Sequence, residues 1–580
     1  MCGIFVVINK NKKKLDIRKC KKSLNELKKR GPDWSFNKTV NNNIFFGQTV
    51  LSMTGQFKKN IKLHNSKTGR FFILFNGEIY NYKKLKNKHL NKLNINIKSD
   101  TNLLVNLFEH IKINRINNLL DGMYAYVLYD SLKKKIYIGR DIQGEKSLFR
   151  YEDNNFIILS SEINAIMKFT GNLPLNFNEL KTYFFSRHFM QFNKTIFKNI
   201  SVISAGDLIE INLKNLREKT INRSSIHKLV DKKTYENNLK KTESQLVEEL
   251  ELLLKKNIKE MVPDRNFASI VSGGIDSTLV SKLLCDNFKP KKLITVDHVG
   301  KDKISNNINI FKKFFSVDIT KLKIDKNLYY KFLQKSIKIC QSPINSHDFV
   351  GKLFISKKIN QLKCKAIFGG DGADELFGGY KTYLQKIPNS KINYSAYSSY
   401  IKNNIFNNNN ISKNFKKKLD NDWKKSLNSY KFIKNKVDRN RLAMMLNDSS
   451  SQLMSVGLRG CDLMSMYHSV EPRSVFLRKE IIKFALNLPI KHKINIKNNS
   501  NFNTKIILKK LFIKHFSKKL IFKKQGFAGF PNEMVSFLGT IKNFRFIKYF
   551  SLKKFNFLIT NYNKATLWKI YNTEFFLRNN

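Results

Sequence analysis

Short apolar runs that end in glycine-rich turns recur through the second half of the chain. Phe267 to Val271 is apolar and ends in a Ser-Gly-Gly turn, after which Thr278 to Leu284 continues at helical spacing. Two more short strand-like runs, Lys292 to Val296 and Lys365 to Phe368, are also separated by helical stretches. Strands that alternate with helices predict an α/β doubly wound parallel sheet with added helices, whose ligands lie at the carboxyl ends of the strands.

The first half of the chain has a different pattern. Ile4 to Ile8 is predicted to be a buried strand, and Phe71 to Phe75 is another. At 580 residues the chain exceeds what one hydrophobic core usually organises, so two or more domains are expected. Residues 213–241 are polar and charged with little periodicity, which predicts a linker between a domain at 2–212 and a domain at 242–580.

The charge balance is extreme but evenly distributed. Lysine and arginine number 107 against 44 aspartate and glutamate, a net charge of +63, and lysine is mixed with Asn, Ile and Phe over the whole length. An even excess of this kind is what A+T-rich codons produce, so we expect no nucleic-acid partner. The alternative is a nucleic-acid-binding protein with inactive loops, which a steep salt dependence of RNA binding would support.

Cysteine spacing and hydropathy bear on the cellular compartment. The six cysteines are widely spaced with no Cys-x-x-Cys pair, which suggests neither a zinc site nor a disulfide framework, so a reducing, cytoplasmic environment is expected. No apolar run approaches ~20 residues, and the apolar start lacks the preceding basic region of a signal peptide. We therefore expect no membrane partner.

The Ser-Gly-Gly-Ile-Asp-Ser-Thr string at 272–278 has the residues of a phosphate site. Its glycines let backbone amides approach an anion, the helix start offers free N–H groups, and the hydroxyls add donors. A carboxylate there repels phosphate unless a cation lies between them, so we predict that Asp276 binds Mg²⁺ beside the pyrophosphate of ATP. A surface turn is the alternative. The full string resembles the pyrophosphate loop of the ATP pyrophosphatases.

An acidic string follows the third strand-like run. Residues 369–380 read Gly-Gly-Asp-Gly-Ala-Asp-Glu-Leu-Phe-Gly-Gly-Tyr, with three carboxylates within five positions. Carboxylates so close together repel one another unless something positive binds. Because Asp276 and Asp374 follow two strands of one sheet, we predict that they share one Mg²⁺ over the phosphates. A loose acidic loop is the alternative.

The chain begins with a cysteine at position 2. Removal of Met1, expected because the next residue is small, leaves Cys2 with a thiol and a free α-amine. That amine titrates near ~7.7 to 8.0 and can take the thiol proton, which gives a thiolate nucleophile without a histidine. An inert residue at a frayed terminus is the alternative.

Two later segments offer partners for such a nucleophile. Asn76 and Gly77 follow a strand, and they form either an ordinary hairpin turn or a pair of donors aimed at one oxyanion. Asp100 begins a helix rich in leucine, where it is either the N-cap or a partner for a substrate ammonium.

Together with Cys2, these segments resemble the N-terminal-nucleophile glutaminase domain of class II glutamine amidotransferases over roughly the first two hundred residues. The resemblance implies an α+β sandwich in which Cys2 attacks the glutamine carboxamide. It implies that Asn76 and Gly77 hold the tetrahedral oxyanion, and that Glu78 and Asp100 bind the amino end of glutamine. Further matching strings are Arg30-Gly31-Pro32-Asp33-Trp34, Leu120-Asp121-Gly122-Met123-Tyr124-Ala125, Gly139-Arg140-Asp141, Gly144-Glu145-Lys146 and Ser160-Ser161-Glu162.

One position departs from that family. The family has His-x-Arg-Leu-Ser where residues 48–52 read Gln-Thr-Val-Leu-Ser, so Val50 replaces the arginine that clamps the glutamine α-carboxylate. An isopropyl group forms no charge pair, and truncating one partner of a buried pair costs on the order of 2–5 kcal/mol. We therefore expect either weakened glutamine use or another basic residue that supplies the charge.

The acidic string is characteristic of the asparagine synthetase family, which adds a synthetase domain to the class II glutaminase. In that family a lysine corresponding to Lys505 faces the adenylylation site and stabilises charge on the transferring phosphorus. The family's Pro-Phe-Leu-Asp appears here as Val475-Phe476-Leu477-Arg478. Because of Arg478, the residues on the acceptor side of the pocket are not fixed by the resemblance. Other matches are Asp462-Leu463-Met464-Ser465-Met466, Glu471-Pro472-Arg473 and Lys524-Gln525-Gly526-Phe527.

This resemblance implies glutamine-dependent asparagine synthesis. With Mg²⁺, ATP adenylylates the aspartate β-carboxylate, pyrophosphate leaves, and ammonia made at Cys2 attacks the aspartyl adenylate. The nearest alternative is amidation of another carboxylate, such as a polysaccharide uronic acid, with ammonia as the nitrogen source. A homodimer is compatible with the sequence. The residues that the resemblance places around ATP are Val271, Ser272, Gly273, Gly274, Asp276, Ser277, Val296, Gly369, Gly370 and Asp371.

Overall fold

The computed structural model describes residues 2–53, 64–93, 95–185, 193–298, 308–385, 409–496, 502–522, 538, 544–546 and 564–579. Within these ranges the strands form two antiparallel sheets in the N-terminal half and one parallel sheet in the C-terminal half. The strands are β1 (Cys2–Asn9), β2 (Trp34–Val40), β3 (Ile44–Val50), β4 (His64–Asn65), β5 (Phe71–Ile79), β6 (Gly122–Asp130), β7 (Lys135–Arg140), β8 (Phe149–Glu152), β9 (Phe156–Ser160), β10 (Ile200–Val202), β11 (Asp207–Asn212), β12 (Glu218–Arg223), β13 (Phe267–Ile270), β14 (Lys292–His298), β15 (Ile319–Ile324), β16 (Ala366–Gly369) and β17 (Glu471–Ser474).

Helices connect and cover these sheets. The α-helices are α1 (Ile17–Asn25), α2 (Tyr82–Leu85), α3 (Asp100–His110), α4 (Ile113–Leu119), α5 (Ile163–Thr170), α6 (Phe177–Phe185), α7 (Lys232–Lys240), α8 (Glu243–Met261), α9 (Ile275–Asn287), α10 (Lys326–Cys340), α11 (Asp348–Gln361), α12 (Ala373–Phe377), α13 (Asn409–Ser429), α14 (Lys436–Ser450), α15 (Arg459–Met466), α16 (Lys479–Leu486), α17 (Ile506–His515) and α18 (Lys564–Arg578). Short 3₁₀ turns occupy Glu26–Lys29, Ile226–Leu229, Lys312–Phe314, Lys381–Leu384, Val475–Leu477, Ile490–His492 and Lys518–Leu520, and π-helical turns occupy Lys86–Leu90 and Leu453–Leu458.

The first domain is a sandwich of two six-stranded sheets, in the orders β10-β8-β9-β1-β3-β2 and β12-β11-β7-β6-β5-β4. Alternate residues of each strand face inward, so Ile4, Val6 and Ile8 of β1 share a core with Leu74 and Val127 of the opposite sheet. Helices α1 and α5 cover one sheet, and α3 covers the other. This four-layer arrangement confirms the predicted α+β sandwich.

The second domain is built on a parallel sheet in the order β15-β14-β13-β16-β17. From β13 the chain runs outward through β14 and β15 on one side, and then through β16 and β17 on the other. This reversal opens a crevice outside the carboxyl ends of β13 and β16. Helices α8, α9 and α17 share the core on one face and α11 the core on the other, which confirms the doubly wound sheet with added helices.

The segment predicted as a linker, 213–241, contains regular structure. β12 pairs antiparallel with β11 and becomes an edge strand of the second sheet. Its side chains are mostly exposed, so its composition is polar although its backbone is part of the sheet. The second sheet of the first domain therefore extends to Arg223, beyond the predicted boundary at residue 212, and Tyr235 of α7 packs into the same core as α8 and α9.

Residues 409–440 are polar and rich in lysine and asparagine. They include α13 and the start of α14, which pack against each other as a helical pair. Across the described ranges, no helix is both long enough and apolar enough to cross a bilayer.

Candidate active sites

Cys2 lies at the start of β1, in the middle of the first sheet, where it pairs across the strands with Val50. The Cys2 nitrogen is 3.0 Å from Asn76 Oδ1, although the two residues are 74 positions apart. This nitrogen is the atom predicted to become the α-amine once Met1 is removed. The sandwich therefore brings the predicted nucleophile and the predicted oxyanion residue to one place.

Asn76 and Gly77 continue β5 and do not form a hairpin turn. Asn76 is fully buried, and its Nδ2 has no hydrogen-bond acceptor among the described residues. A buried donor without an acceptor is costly unless a ligand supplies one, which is what an oxyanion would do. Gly77 has φ +149°, and a Cβ there would lie 2.0 Å from the Met123 carbonyl oxygen, so the close approach of β6 requires glycine.

Two buried carboxylates, Glu78 and Asp100, lie at the end of β5. The N-cap of α3 is Ser99, so Asp100 is not the cap; its carboxylate accepts hydrogen bonds from the backbone N–H groups of Ile79 at 2.9 Å and Thr101 at 2.6 Å. Burial raises the pKa of Glu78 to about 8 and also raises the pKa of Asp100. A substrate ammonium bound between these carboxylates would offset that penalty.

The side chain of Val50 is uncharged, so it brings no charge to the site around Cys2. Arg30 is the basic residue closest in the chain to the Gly-Pro turn beside Val50, but its guanidinium is fully buried and its Nη2 binds Asp462 at 2.9 and 3.0 Å. Arg30 is therefore committed to another contact and does not replace the clamp arginine.

The Ser-Gly-Gly loop lies at the switch point of the parallel sheet, between β13 and α9. Ser272 Oγ and Ser277 Oγ are 2.8 Å apart, and Ser277 Oγ also accepts the Ser272 N–H at 3.1 Å, which closes the loop on itself. The N-cap residue is Gly274, which has no side chain to occupy the N–H groups at the start of the thirteen-residue α9. These groups are available to an anion.

Asp276 and Asp374 converge on one cation. Lys505 Nζ lies 2.5 Å from Asp276 Oδ2 and 2.6 Å from Asp374 Oδ1. Burial acts to lower the pKa of Lys505, but the two carboxylates outweigh it and the pKa is raised, so Lys505 is a cation at neutral pH. The two loops also touch elsewhere, since a Cβ on Gly370 would lie 2.7 Å from Asp276 Cβ.

The carboxylate pair fits the ligand chemistry of Mg²⁺. Among the described residues there is no group of three or more His, Cys, Asp or Glu side chains able to enclose a metal. Mg²⁺ is usually held by one or two carboxylates together with substrate phosphates and water. Asp276 and Asp374, beside the Ser-Gly-Gly loop, would be those carboxylate ligands.

The remaining residues predicted to bind the nucleotide differ in their burial and in their position relative to this crevice. Val271 is completely buried in the core and its N–H donates to the Ile294 carbonyl, so its side chain is a packing element. Val296 is half-buried near the end of β14, and Gly369 ends β16. Lys524-Gln525-Gly526-Phe527 lies outside the described residues.

Asp371 has partners that the sequence reading missed. Lys352 Nζ on α11 lies 2.9 Å from Asp371 Oδ1 and 2.6 Å from Cys461 Sγ, and Cys461 Sγ lies 3.3 Å from Asp371 Oδ2. Nothing distinguishes Lys352 from the other lysines of so basic a chain, and Cys461 stands beside a matched string without belonging to it.

Buried ion pairs join the two domains near these sites. Arg30 Nε donates to the Cys2 carbonyl oxygen at 3.3 Å, and its Nη2 pairs with Asp462 of α15, which also receives Lys146 at 3.3 Å. Burial raises the pKa of Asp462, but Arg30 and Lys146 outweigh it, so the pKa lies below its ordinary value. This ion cluster, consisting of Arg30, Asp462 and Lys146, connects the start of β1 to the second domain.

Two more arginines of the second domain reach the first. Arg473 Nη2 lies 2.9 Å from Glu78 Oε2, and its Nη1 donates to the Met261 carbonyl. Arg478 Nη2 lies 2.7 Å from Asp121, so this residue forms an ion pair across the domain interface. The departure at Arg478 is thus accommodated by a carboxylate of the opposite domain.

Replacing Asp462 with asparagine should lower the free energy of unfolding by about 3 kcal/mol, because Lys146 is left buried without its carboxylate partner and Arg30 keeps only Glu162, at 3.2 Å. Because the carboxyl pKa is lowered, the stabilisation should be present above its ordinary pKa and disappear as pH falls through its lowered value. Urea denaturation at pH 7 measures the change. The control is Asp318→Asn at an exposed pair with Lys292, expected to cost at most ~1 kcal/mol; equal effects of both variants would contradict the prediction.

The fold and these paired sites define a two-domain amidotransferase, with an N-terminal-nucleophile glutamine amidotransferase domain followed by a synthetase domain. Residues 1–221 match the family described as a glutamine amidotransferase domain, and residues 249–544 match the family described as asparagine synthase. The chain belongs to the asparagine synthase family.

Individual relatives are distant. The chain is 26% identical over 341 residues to glutamine-hydrolyzing asparagine synthetase 2 of Bacillus subtilis, covering 56% of this chain and 45% of that protein. It is 24% identical over 419 residues to glutamine-hydrolyzing asparagine synthetase of Bos taurus, covering 67% and 68%. The solved glutamine phosphoribosylpyrophosphate amidotransferase from B. subtilis, complexed with ADP and GMP, aligns over 56% of this chain and 81% of its own at 12% identity, with a TM-score of 0.29.

Proposed function

We propose that the protein transfers ammonia from glutamine to the β-carboxylate of aspartate, with ATP as the activating substrate and asparagine, AMP and pyrophosphate as products. The observation that carries this proposal is the convergence of Asp276 and Asp374 on Lys505 beside a phosphate loop, at the switch point of a parallel sheet. In the other domain, the buried pair of Cys2 and Asn76 supports the release of ammonia from glutamine.

In the glutaminase half, the α-amine of Cys2 takes the thiol proton and the thiolate attacks the glutamine carboxamide carbon. The carbonyl π electrons move to oxygen, and Asn76 Nδ2 and the Gly77 N–H hold the resulting oxyanion. As the tetrahedral adduct collapses, the carbon–nitrogen bond breaks and the nitrogen leaves as ammonia with the proton held by the amine. Water then hydrolyses the thioester to glutamate and frees Cys2.

In the synthetase half, the N–H groups at the start of α9 bind phosphate oxygens of ATP. An oxygen of the aspartate β-carboxylate attacks the α-phosphorus, and the bond to pyrophosphate breaks. Lys505 stabilises the charge that develops on the phosphoryl group, while a magnesium ion held by Asp276 and Asp374 would neutralise the phosphates. Ammonia attacks the aspartyl adenylate carbonyl, the adduct nitrogen loses a proton to solvent, and AMP leaves with the bonding electrons.

The test is an assay of the full chain with ATP, Mg²⁺ and aspartate, using either glutamine or ammonium. We expect asparagine, AMP and pyrophosphate in equal amounts. AMP formation with a uronic acid and none with aspartate would overturn the choice of acceptor while retaining the adenylylation chemistry. Formation of ADP would overturn both.

Replacing Val50 with arginine should lower the KM for glutamine roughly 10- to 100-fold, because it restores a cation for the α-carboxylate opposite Cys2. The ammonium-dependent rate should stay unchanged, since the synthetase site is not altered. Val50→Leu controls for side-chain size. If Val50→Arg leaves the glutamine KM where it was, Val50 does not occupy a damaged clamp.

A further inference from the structure

A cavity of about 350 Å³ lies between the two domains, apart from both candidate active sites. It is formed by β7, β8 and β10 of the first domain, by the end of β12 and the segment that follows it, and by α13, the π-helical turn Leu453–Leu458 and α15 of the second domain. Its volume is in the range of small-molecule sites. The charged residues that line it are Arg140, Arg223, Lys418, Asp422, Lys425 and Arg459. We call it the basic cavity.

The basic cavity has more positive charge than its own carboxylate can balance. Lys418 pairs with Asp422 at 2.8 Å. Arg223 pairs at 2.6 Å with Asp207, a carboxylate that does not line the cavity. Among the described residues, Arg140, Lys425 and Arg459 have no carboxylate oxygen within ion-pair distance. The lysine excess of the whole chain does not account for this, since three of the five cations are arginines from three separate elements.

Among these cations, Arg459 combines deep burial with an unused hydrogen-bond donor. It is only 5% exposed, and its Nη2 donates to the Cys340 carbonyl at 3.3 Å and to Ser342 Oγ at 3.4 Å. Its Nε is buried and has no acceptor among the described residues. A buried guanidinium with neutral partners and an unused donor is costly unless an anion completes its environment.

The cations of the basic cavity also act on one another. Burial lowers the pKa of Lys425, and the nearby charges of Lys418, Arg223 and Lys228 lower it further, while Asp422 acts in the opposite direction. His227, which also lines the cavity, has a pKa of about 3 because of burial and Lys425, so it is neutral at physiological pH and does not add to the charge. An anion would relieve this mutual repulsion.

We propose that the basic cavity binds the phosphate group of a small phosphorylated metabolite. Guanidinium groups bind phosphate oxygens in paired hydrogen bonds, and arginines on both sides of the cavity would grip one anion from two domains. A volume of about 350 Å³ favours a small molecule over a polymer. No step of the amidation reaction uses this cavity, so the site goes beyond the proposed function.

A bound anion would stabilise the docking of the two domains. Arg140 donates to the carbonyl oxygens of Lys146 at 2.7 Å and Gly144 at 2.6 Å, and Lys146 pairs with Asp462. Arg459 lies one helical turn from Asp462 on α15. An anion held by Arg140 and Arg459 would therefore touch the helix that carries Asp462 and the strand that leads to Lys146, and its binding is expected to couple to glutamine hydrolysis.

The test is calorimetric titration of the full chain with glucose 6-phosphate and, separately, inorganic phosphate, at constant ionic strength. We expect saturable binding to the wild type. The ligand with the lower Kd shows whether the site prefers the phosphate ester or free phosphate. Lys425→Gln should weaken binding about 10-fold, the share of one charge-assisted hydrogen bond. Lys424→Gln, an exposed neighbour on the same helix that does not line the cavity, is the matched control and should bind like the wild type.

Two further variants locate the site. Ser272→Ala alters the ATP loop and should leave phosphate binding unchanged, whereas Arg459→Gln should weaken it at least as much as Lys425→Gln. Absence of saturable binding up to ~10 mM, an equal effect of Lys424→Gln and Lys425→Gln, or loss of binding in Ser272→Ala would each overturn the proposal. Because the measurement is of binding and needs no turnover, its result does not depend on the amidation reaction.

Discussion

Lys505→Ala should lower the rate of pyrophosphate release with ATP and aspartate by roughly 10²- to 10³-fold, whichever nitrogen source is present. Lys505 is buried and lies within 2.6 Å of both carboxylates of the site, so its removal takes away the charge that the transferring phosphoryl group would meet. It also leaves Asp276 and Asp374 facing each other without that cation, which opposes the approach of a triphosphate.

The control for this variant lies on the same helix. Lys510→Ala removes an exposed lysine paired with Glu243 at 2.9 Å and should leave pyrophosphate release within about 2-fold of the wild type. Hydrolysis of glutamine to glutamate, measured without ATP, should be unchanged in Lys505→Ala because the change is confined to the synthetase site. Retention of pyrophosphate release within 10-fold would remove Lys505 from the chemistry.

The site elements that the sequence predicted best are those set by local structure. Ser272 to Ser277 follow a short apolar strand and begin a helix, so both the turn and its place at the sheet edge come from a few neighbouring residues. The acidic string after β16 is of the same kind. Once strands alternate with helices, the doubly wound arrangement brings these two loops together, and the meeting of Asp276 with Asp374 follows from topology.

The contacts that the sequence could not predict depend on how the two domains dock. Arg30 and Asp462 are 432 positions apart, and Glu78 and Arg473 are 395 apart, with no periodicity that relates them. Arg478 is an instructive case, since its string indicates an altered acceptor pocket whereas its side chain pairs with Asp121 of the opposite domain. β12 was missed for another reason, because an edge strand with exposed side chains has the composition of a loop.

The docked interface links the two candidate active sites through buried contacts. Arg30 binds the Cys2 carbonyl oxygen and Asp462, and the adjacent Cys461 contacts Asp371 in the acidic string. A shift of α15 caused by a nucleotide at Asp371 would thus reach the backbone of the nucleophile through one arginine. Separating Arg30 from Asp462 would leave these buried charges only partly paired, with Arg30 on Glu162 and Asp462 on Lys146.

Cys2→Ala should reduce glutamine-dependent asparagine formation at least ~10³-fold and leave ammonium-dependent formation within about 2-fold of the wild type. The Cys2 thiol is the atom that would bond to the glutamine carbon, whereas the alanine methyl keeps the buried strand start and the backbone nitrogen beside Asn76. Added ammonium bypasses that step and reaches a synthetase site that the change does not touch.

Cys285→Ala, at a half-buried thiol on α9, controls for the loss of a cysteine and should leave the glutamine-dependent rate near that of the wild type. Mass spectrometry of the intact chain should show that Met1 has been removed, because only then does the Cys2 nitrogen become an amine able to take the thiol proton. Equal losses with glutamine and with ammonium would mean that Cys2 supports the fold and not the nitrogen transfer. A retained Met1 in a fully active enzyme would exclude the amine as the base, since the nitrogen 3.0 Å from Asn76 would then be an amide.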